Sequence, residues 1–240
     1  MPHLASPDPA RINADRRPGR RVPDGRSSGW AVIAAASTPT VLIGGWLAGD
    51  ALQPTGYSPM QQTMSVLAGQ QGTDSWLMTG TLGLVGFALV ATGVSLTAVR
   101  WPGRLLLVVA GSASIGVAAC PEPASGPTDL HLAFAVICVV ATAVWPAAAA
   151  QPGPQAPWVL SYQAGACVTA VFAALSVWLL LATQSGIDLG LAERLTSSAQ
   201  GIWPLVVATS LWLADRQPAD QPEPDEAARR AVVSARCRGQ

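Results

Sequence analysis

The sequence predicts an all-α fold, a polytopic transmembrane helical bundle of about six spans with both termini cytoplasmic. Only 12% of the 240 residues are charged and the mean hydropathy is +0.35, whereas an average soluble domain is about 25% charged. The apolar residues also collect in runs of about 20, the length that a helix needs to cross a bilayer. A lipid-exposed backbone must satisfy its hydrogen bonds internally, which favours helices over other structures.

Each apolar run is rich in Leu, Val, Ala and Gly and almost free of charge. We place the spans at about residues 30–48, 75–99, 105–120, 130–149, 158–182 and 195–214. These spans make one bundle over residues 30–214. The flanking segments 1–29 and 215–240 are polar, rich in Arg and Pro, and lack helical periodicity, so we expect two disordered tails.

The arginines predict how the bundle is oriented. All 14 basic residues are Arg, and they cluster before the first span, after the last span and in the turn RWPGR at residues 100–104. The positive-inside rule places these three segments in the cytoplasm, which predicts a multi-pass protein of the plasma membrane. The loops on the opposite side carry acids, and Arg194 is the only base among them.

The first outer loop contains YSPMQQTMSVLAG, at residues 57–69. Ser58 followed by Pro59 and Gln61 matches a capping box, which predicts a short helix starting there. Gln62 and Ser65 would share one face of that helix and form a ligand wall or gate. The alternative is a lid that only packs over the bundle.

This loop, together with other short motifs, resembles a known family. The other motifs are the glycine-rich second span, a Pro followed by HL at the start of the fourth span, and GLAERL leading to IWP. They resemble domain of unknown function 998 (DUF998), a family of uncharacterised bacterial multi-span membrane proteins. The likeness covers roughly residues 41–213, and an acid often follows the loop serine in this family where Val66 stands here. The resemblance implies a membrane fold and no established activity.

The outer loops also hold the residue types that could carry chemistry. We expect one outward-facing polar cluster made of Glu122, Asp129, His131, Glu193 and Arg194. A histidine beside carboxylates can exchange protons or bind a divalent metal. The alternative is structural, with Thr128 or Asp129 capping the fourth span, His131 at the helix edge and Arg194 reaching lipid headgroups.

Several classes of function have no motif support. The chain has no GxGxxG, P-loop, GxSxG or HExxH sequence and no zinc-ligand spacing, so we expect no metal and no cofactor. The zero net charge argues against nucleic-acid binding. The spans almost lack ionisable residues, which argues against a proton pump.

The sequence therefore favours a cell-envelope membrane protein of unknown activity with an outward-facing polar pocket for a small or lipid-like ligand, and it does not by itself indicate an enzyme. The alternatives are a membrane-embedded hydrolase using the acid/His cluster, and a transporter or transport accessory subunit. Membrane lipids are the expected partners. Gly45 and Gly49 form a GxxxG pattern that predicts tight helix packing within the bundle or, alternatively, a homo-oligomer.

Overall fold

A computed structural model of the chain describes residues 29–153 and 156–216. Within these residues the regular structure is helical, with seven α-helices and a 3₁₀ turn at Trp158–Leu160. The helices are α1 (Gly29–Ala51), α2 (Met64–Ala68), α3 (Ser75–Ser95), α4 (Trp101–Ala119), α5 (Asp129–Ala149), α6 (Tyr162–Ser185) and α7 (Leu189–Ala214). The predicted tails lie almost entirely outside the described residues.

Five of the long helices, α1 and α3 to α6, are long and apolar enough to cross a membrane. The all-helical membrane fold is therefore confirmed. The sixth predicted span is the apolar part of α7, which begins with Glu193 and Arg194 in its first turns and does not reach the same hydropathy. Its 26 residues give a length of about 39 Å, more than the roughly 30 Å of a bilayer core.

The six long helices form a ring in which neighbours in sequence are neighbours in space. Contacts run from α1 to α3, then through α4, α5 and α6 to α7, and α7 closes the ring against α1. The short helix α2 lies across one end of this ring, where it contacts α1, α3 and α7. The loop that carries the most distinctive sequence pattern is thus packed over the bundle.

Glycines allow the closest approaches in the ring. A Cβ atom at Gly86 of α3 would lie 2.6 Å from the backbone oxygen of Gly111 in α4, so these two backbones touch. On the other side of α3, a Cβ at Gly45 of α1 would overlap the Thr81 side chain, and one at Gly49 would lie 3.4 Å from Leu67. The GxxxG face of α1 therefore packs within one chain, as small residues do in membrane bundles, and the homo-oligomer stays a prediction.

Two local predictions were wrong. The segment RWPGR is not a turn, because α4 already begins at Trp101 with Pro102 in its first turn, where proline is well tolerated. The helix expected from Ser58 begins only at Met64 and is capped by Thr63, whose hydroxyl accepts the Val66 amide. Residues 58–62 instead make a single turn, in which the amides of residues 61 and 62 both donate to the Ser58 carbonyl.

Candidate functional site

Most of the candidate site residues lie at the end of the bundle that α2 covers. Three connections meet there: the loop after α1, the loop between α4 and α5, and the short link before α7. The Gln70 amide donates to the Glu122 carbonyl at 2.9 Å, and the Leu191 amide donates to the Met60 carbonyl at 3.0 Å. These backbone bonds hold the three connections against one another and bring side chains from distant parts of the sequence together.

His131 lies at the start of α5 and is buried, with 2% of its surface exposed. Thr128 caps this helix, since its hydroxyl accepts the His131 backbone amide at 3.2 Å. The imidazole Nδ1 lies 2.7 Å from the Cys120 carbonyl oxygen, and Nε2 lies 3.1 Å from the Ser65 hydroxyl. Both ring nitrogens therefore have protein partners, and the ring faces α2 instead of lipid.

Glu193 reaches the same hydroxyl from the first turns of α7. Its carboxylate accepts a hydrogen bond from the Met64 amide and interacts with the Ser65 hydroxyl. Ser65 thus lies between His131 and Glu193, and it is partly exposed. We call Ser65, Glu122, His131 and Glu193 the polar cluster.

The pKa of Glu193, which precedes the apolar part of α7, is raised by its burial to about 7. The Met64 amide and the Arg194 charge oppose this effect, and the nearby Glu122 adds to it. The pKa of Glu122 is also raised by burial, and the charge of His131 opposes that rise. The two carboxyls and the imidazole therefore sense one another electrostatically, and Glu193 can change protonation near neutral pH.

Arg194 belongs to a second, separate arrangement, which we call the arginine clamp. Its Nη2 atom forms an ion pair with Asp50 at 2.7 Å, with the two side chains 5% and 13% exposed. The Nη1 atom donates to the carbonyl oxygens of Pro59 and Gln62, each at 2.8 Å, and to that of Gly190 at 3.1 Å. The guanidinium therefore ties the loop after α1 to the start of α7.

Tyr57 and Trp46 complete the clamp. The Tyr57 hydroxyl donates to Asp50 at 2.7 Å and accepts from Arg194 Nη2 at 2.7 Å. Burial, followed by the hydrogen bond to Asp50, raises the pKa of the Tyr57 phenol above its ordinary value, so it stays neutral. The guanidinium also lies over the Trp46 ring, 5.6 Å from its centroid, within the range of a cation–π interaction.

The two residues of the expected ligand wall have different surroundings. The Gln62 side chain turns back to accept the Ser58 amide at 3.1 Å, and the Gln62 carbonyl is held by the clamp. Ser65 lies in the polar cluster.

Asp129, which was expected in the polar cluster, is exposed in the first turn of α5, and its side chain makes no hydrogen bond within residues 29–153 and 156–216. In that same part of the chain, no group of three or more His, Cys, Asp and Glu side chains is arranged to hold a metal ion.

The polar cluster lies at the end of the bundle that the sequence predicts, but three members of the clamp, Asp50, Tyr57 and Trp46, were not predicted as site residues. Asp50 is one of the acids that the sequence places in the outer loops, and Tyr57 begins the loop pattern YSPMQQTMSVLAG. The sequence does contain a sign of this ion pair: Arg194 is the only base in the predicted outer loops, and a buried arginine needs an acidic partner. Asp50 ends the helix that the closed ring places beside α7.

The fold and the site define a helical membrane protein with a polar cluster and a buried ion pair at one end of the bundle. The sequence model of one family, described as "Protein of unknown function (DUF998)", matches residues 25–210. The chain belongs to this DUF998 family. No curated protein and no solved structure matches the chain significantly.

Proposed function

We propose that this chain is a cell-envelope protein of the plasma membrane that binds the polar part of a small or lipid-like ligand at the polar cluster, on the outer face. The observation that carries this proposal is the position of Ser65. Its hydroxyl is partly exposed and lies between the buried imidazole of His131 and the partly buried carboxyl of Glu193, which come from two different helices.

The chemistry of the cluster indicates what it would bind. A hydroxyl, an imidazole and two carboxyls can both donate and accept hydrogen bonds, and Glu122 and Glu193 favour a ligand with donor groups. Hydroxyl and amine groups of lipid headgroups are of this kind. Convergent polar groups of perturbed pKa are a common feature of ligand sites.

Apolar surface beside the cluster supports a lipid-like ligand over a purely polar one. Leu130 and Leu132 flank His131 and are 56% and 46% exposed, and Leu195 beyond Arg194 is 47% exposed. Acyl chains in the bilayer would contact these side chains while the headgroup reaches the cluster. The outward orientation is supported by the arginine distribution, because Arg100 and Arg104 lie at the opposite end of the bundle.

A cysteine at position 65 tests the proposal directly. In a chain whose native cysteines are replaced, Ser65→Cys should react with a membrane-impermeant maleimide in intact cells. In the purified protein, dihexanoyl phosphatidylethanolamine or dihexanoyl phosphatidylglycerol should slow this reaction at least about tenfold. Ser125→Cys, an exposed residue of the loop between α4 and α5, is the matched control and should react in cells without protection by either lipid.

Two results would contradict the proposal. Reaction of Ser65→Cys only after permeabilisation would place the cluster on the inner face. Equal rates with and without both lipids, in protein that reacts normally at Ser125→Cys, would show that the cluster does not bind a lipid-like ligand.

A further inference from the structure

We propose that Ser65 is a nucleophile, activated by His131, that attacks the carbonyl carbon of a carboxylic ester in a lipid-like substrate. This inference rests on the proposed function, because it uses the same site and the same face of the membrane. It adds a reaction, ester hydrolysis, to what would otherwise be a binding site.

The hydrogen bonds of the imidazole determine its tautomer. The Cys120 carbonyl oxygen can only accept, so the Nδ1 atom 2.7 Å away must carry a proton. In the neutral ring the lone pair is then on Nε2, which lies 3.1 Å from the Ser65 oxygen. The single Ser65 proton can be donated to His131 Nε2 or to the Glu193 carboxylate. Donation to Nε2 is the arrangement that a general base needs in order to activate a serine.

The His131 imidazole and the Ser65 hydroxyl differ in exposure in the way that a base and a nucleophile require. The imidazole is 2% exposed, whereas the serine is partly exposed. An incoming ester would thus meet the hydroxyl first and would have little access to the base. The ring is held at both nitrogens, and the Thr128 cap holds its backbone, so the base is oriented before substrate arrives.

The location of Ser65 points to the class of substrate. It lies on α2, between the ends of α1 and α3, at the end of the bundle where these two helices leave the bilayer. The headgroup region extends only about 5–8 Å beyond each side of the hydrocarbon core, and the ester bonds of glycerolipids lie at this boundary. An acyl ester of a membrane lipid would therefore reach the hydroxyl without leaving the membrane.

The reaction balances with water as the second reactant. A bond forms between Ser65 Oγ and the carbonyl carbon while His131 Nε2 takes the hydroxyl proton. The bond from that carbon to the alcohol oxygen breaks, and the departing oxygen takes the proton from His131, which leaves an acyl-serine. Water then attacks the acyl-serine with His131 as base, so that one carboxylic acid and one alcohol are released and Ser65 is restored.

A fluorophosphonate probe, whose phosphorus is attacked by activated serines with loss of fluoride, tests this inference on the purified full-length protein. The wild-type protein should be labelled, and mass spectrometry should locate the adduct on Ser65. Labelling should be absent in Ser65→Ala and slower by about 10²- to 10⁴-fold in His131→Gln, the range contributed by a general base. Ser125→Ala, the exposed serine of a neighbouring loop, should be labelled like the wild type.

The adduct position in the wild-type protein keeps the inference testable even where a variant fails to fold. An unlabelled wild-type protein, or an adduct on another residue, would overturn it. The same is true of undiminished labelling in folded His131→Gln. If the probe fails while Ser65→Cys is still protected by short-chain lipid, the nucleophile is disproved and the binding site stands; if lipid protection fails too, both are disproved.

Discussion

Arg194 and Asp50 form a mostly buried ion pair whose remaining hydrogen-bonding groups are almost all used. Burying two charges costs solvation energy, which their attraction repays only when the geometry is good and other partners satisfy the leftover donors. Here the carbonyls of Pro59, Gln62 and Gly190 take up Nη1, and Tyr57 shares Nη2. Removing the guanidinium would leave a carboxylate and several carbonyls buried without their donor.

We therefore expect Arg194→Met to destabilise the protein by about 3–5 kcal/mol, the usual cost of breaking a buried pair. Thermal unfolding of the purified protein in detergent would measure this as a lower midpoint. Arg216→Met is the matched control, because Arg216 is exposed just after the end of the same helix. Equal unfolding midpoints for Arg194→Met and Arg216→Met would mean that the arginine clamp does not stabilise the loop after α1.

Glu193 should make stability depend on pH. Its pKa in the folded protein is raised from 4.5 to about 7, so between these values the folded protein binds more protons than the unfolded chain. The Glu193 contribution to stability is thus complete below about pH 4.5 and is lost as the pH rises towards 7. As the pH rises through this range, the stability of the wild-type protein should fall relative to that of the Glu193→Gln variant.

The unfolding midpoints of the two proteins at several pH values would measure the effect. Both should also carry Glu122→Gln, because the pKa of Glu122 is raised as well and would add a dependence of the same sign. A difference between the two midpoints that stays constant, or that favours the wild type as the pH rises, would contradict the raised pKa.

At the scale of elements, packing between helices depends on small residues and on a few buried polar groups. Besides the glycine contacts, Gln200 of α7 is 2% exposed and accepts a hydrogen bond from Thr142 of α5 at 2.6 Å. Its amide donates to Ser176 of α6 at 3.3 Å. These bonds join three helices in the apolar interior, where interhelical hydrogen bonds average about 0.6 kcal/mol each.

The contact between α1 and α3 can be tested with adjacent glycines. A leucine at Gly45 would collide with Thr81, whereas nothing lies within 4 Å of a Cβ at Gly44. We expect Gly45→Leu to cost about 1–3 kcal/mol or more through overpacking, and Gly44→Leu to leave the midpoint of thermal unfolding nearly unchanged. Size-exclusion chromatography of both variants would show whether Gly45 also affects oligomeric state.

At the scale of the whole molecule, the two ends of the bundle differ in chemistry. One end carries the polar cluster and the arginine clamp. At the other end, Arg100 donates to the Ala150 carbonyl at 3.2 Å, and Arg104 donates to the carbonyls of Gly93 and Val94 at 2.9 and 2.7 Å. Arg100 and Arg104 therefore satisfy backbone carbonyls at the C-terminal ends of α5 and α3, in addition to any effect on topology.

Cysteine labelling in cells would test the orientation. With the four native cysteines replaced, Gln70→Cys should react with an impermeant thiol reagent in intact cells, because the positive-inside rule predicts that the opposite end is cytoplasmic. Thr97→Cys should react only after permeabilisation. Both positions are exposed, so burial does not explain a difference. The reverse pattern would place the polar cluster in the cytoplasm and refute the arginine argument.

The sequence alone determined that this chain is a bundle of membrane helices, and five predicted spans agree with the bounds of long helices within about four residues at each end. These features depend on local composition and run length, which are read directly from the chain. Residues 189–194 lie before the sixth predicted span and were not predicted to be helical, because they include two charged residues. These residues are helical because Gly190, Glu193 and Arg194 pack against the loop after α1.

Only the tertiary structure decided which polar residues meet. Ser65 and His131 are 66 positions apart, and Asp50 and Arg194 are 144 apart. Each residue along a helix turns the side-chain direction by about 100°, so a small change in helix rotation would separate these groups. In uniformly apolar spans the sequence has little amphipathic signal to set that rotation. The rotation is set by close contacts such as those at Gly45 and Gly86, which exist only once the helices have packed together.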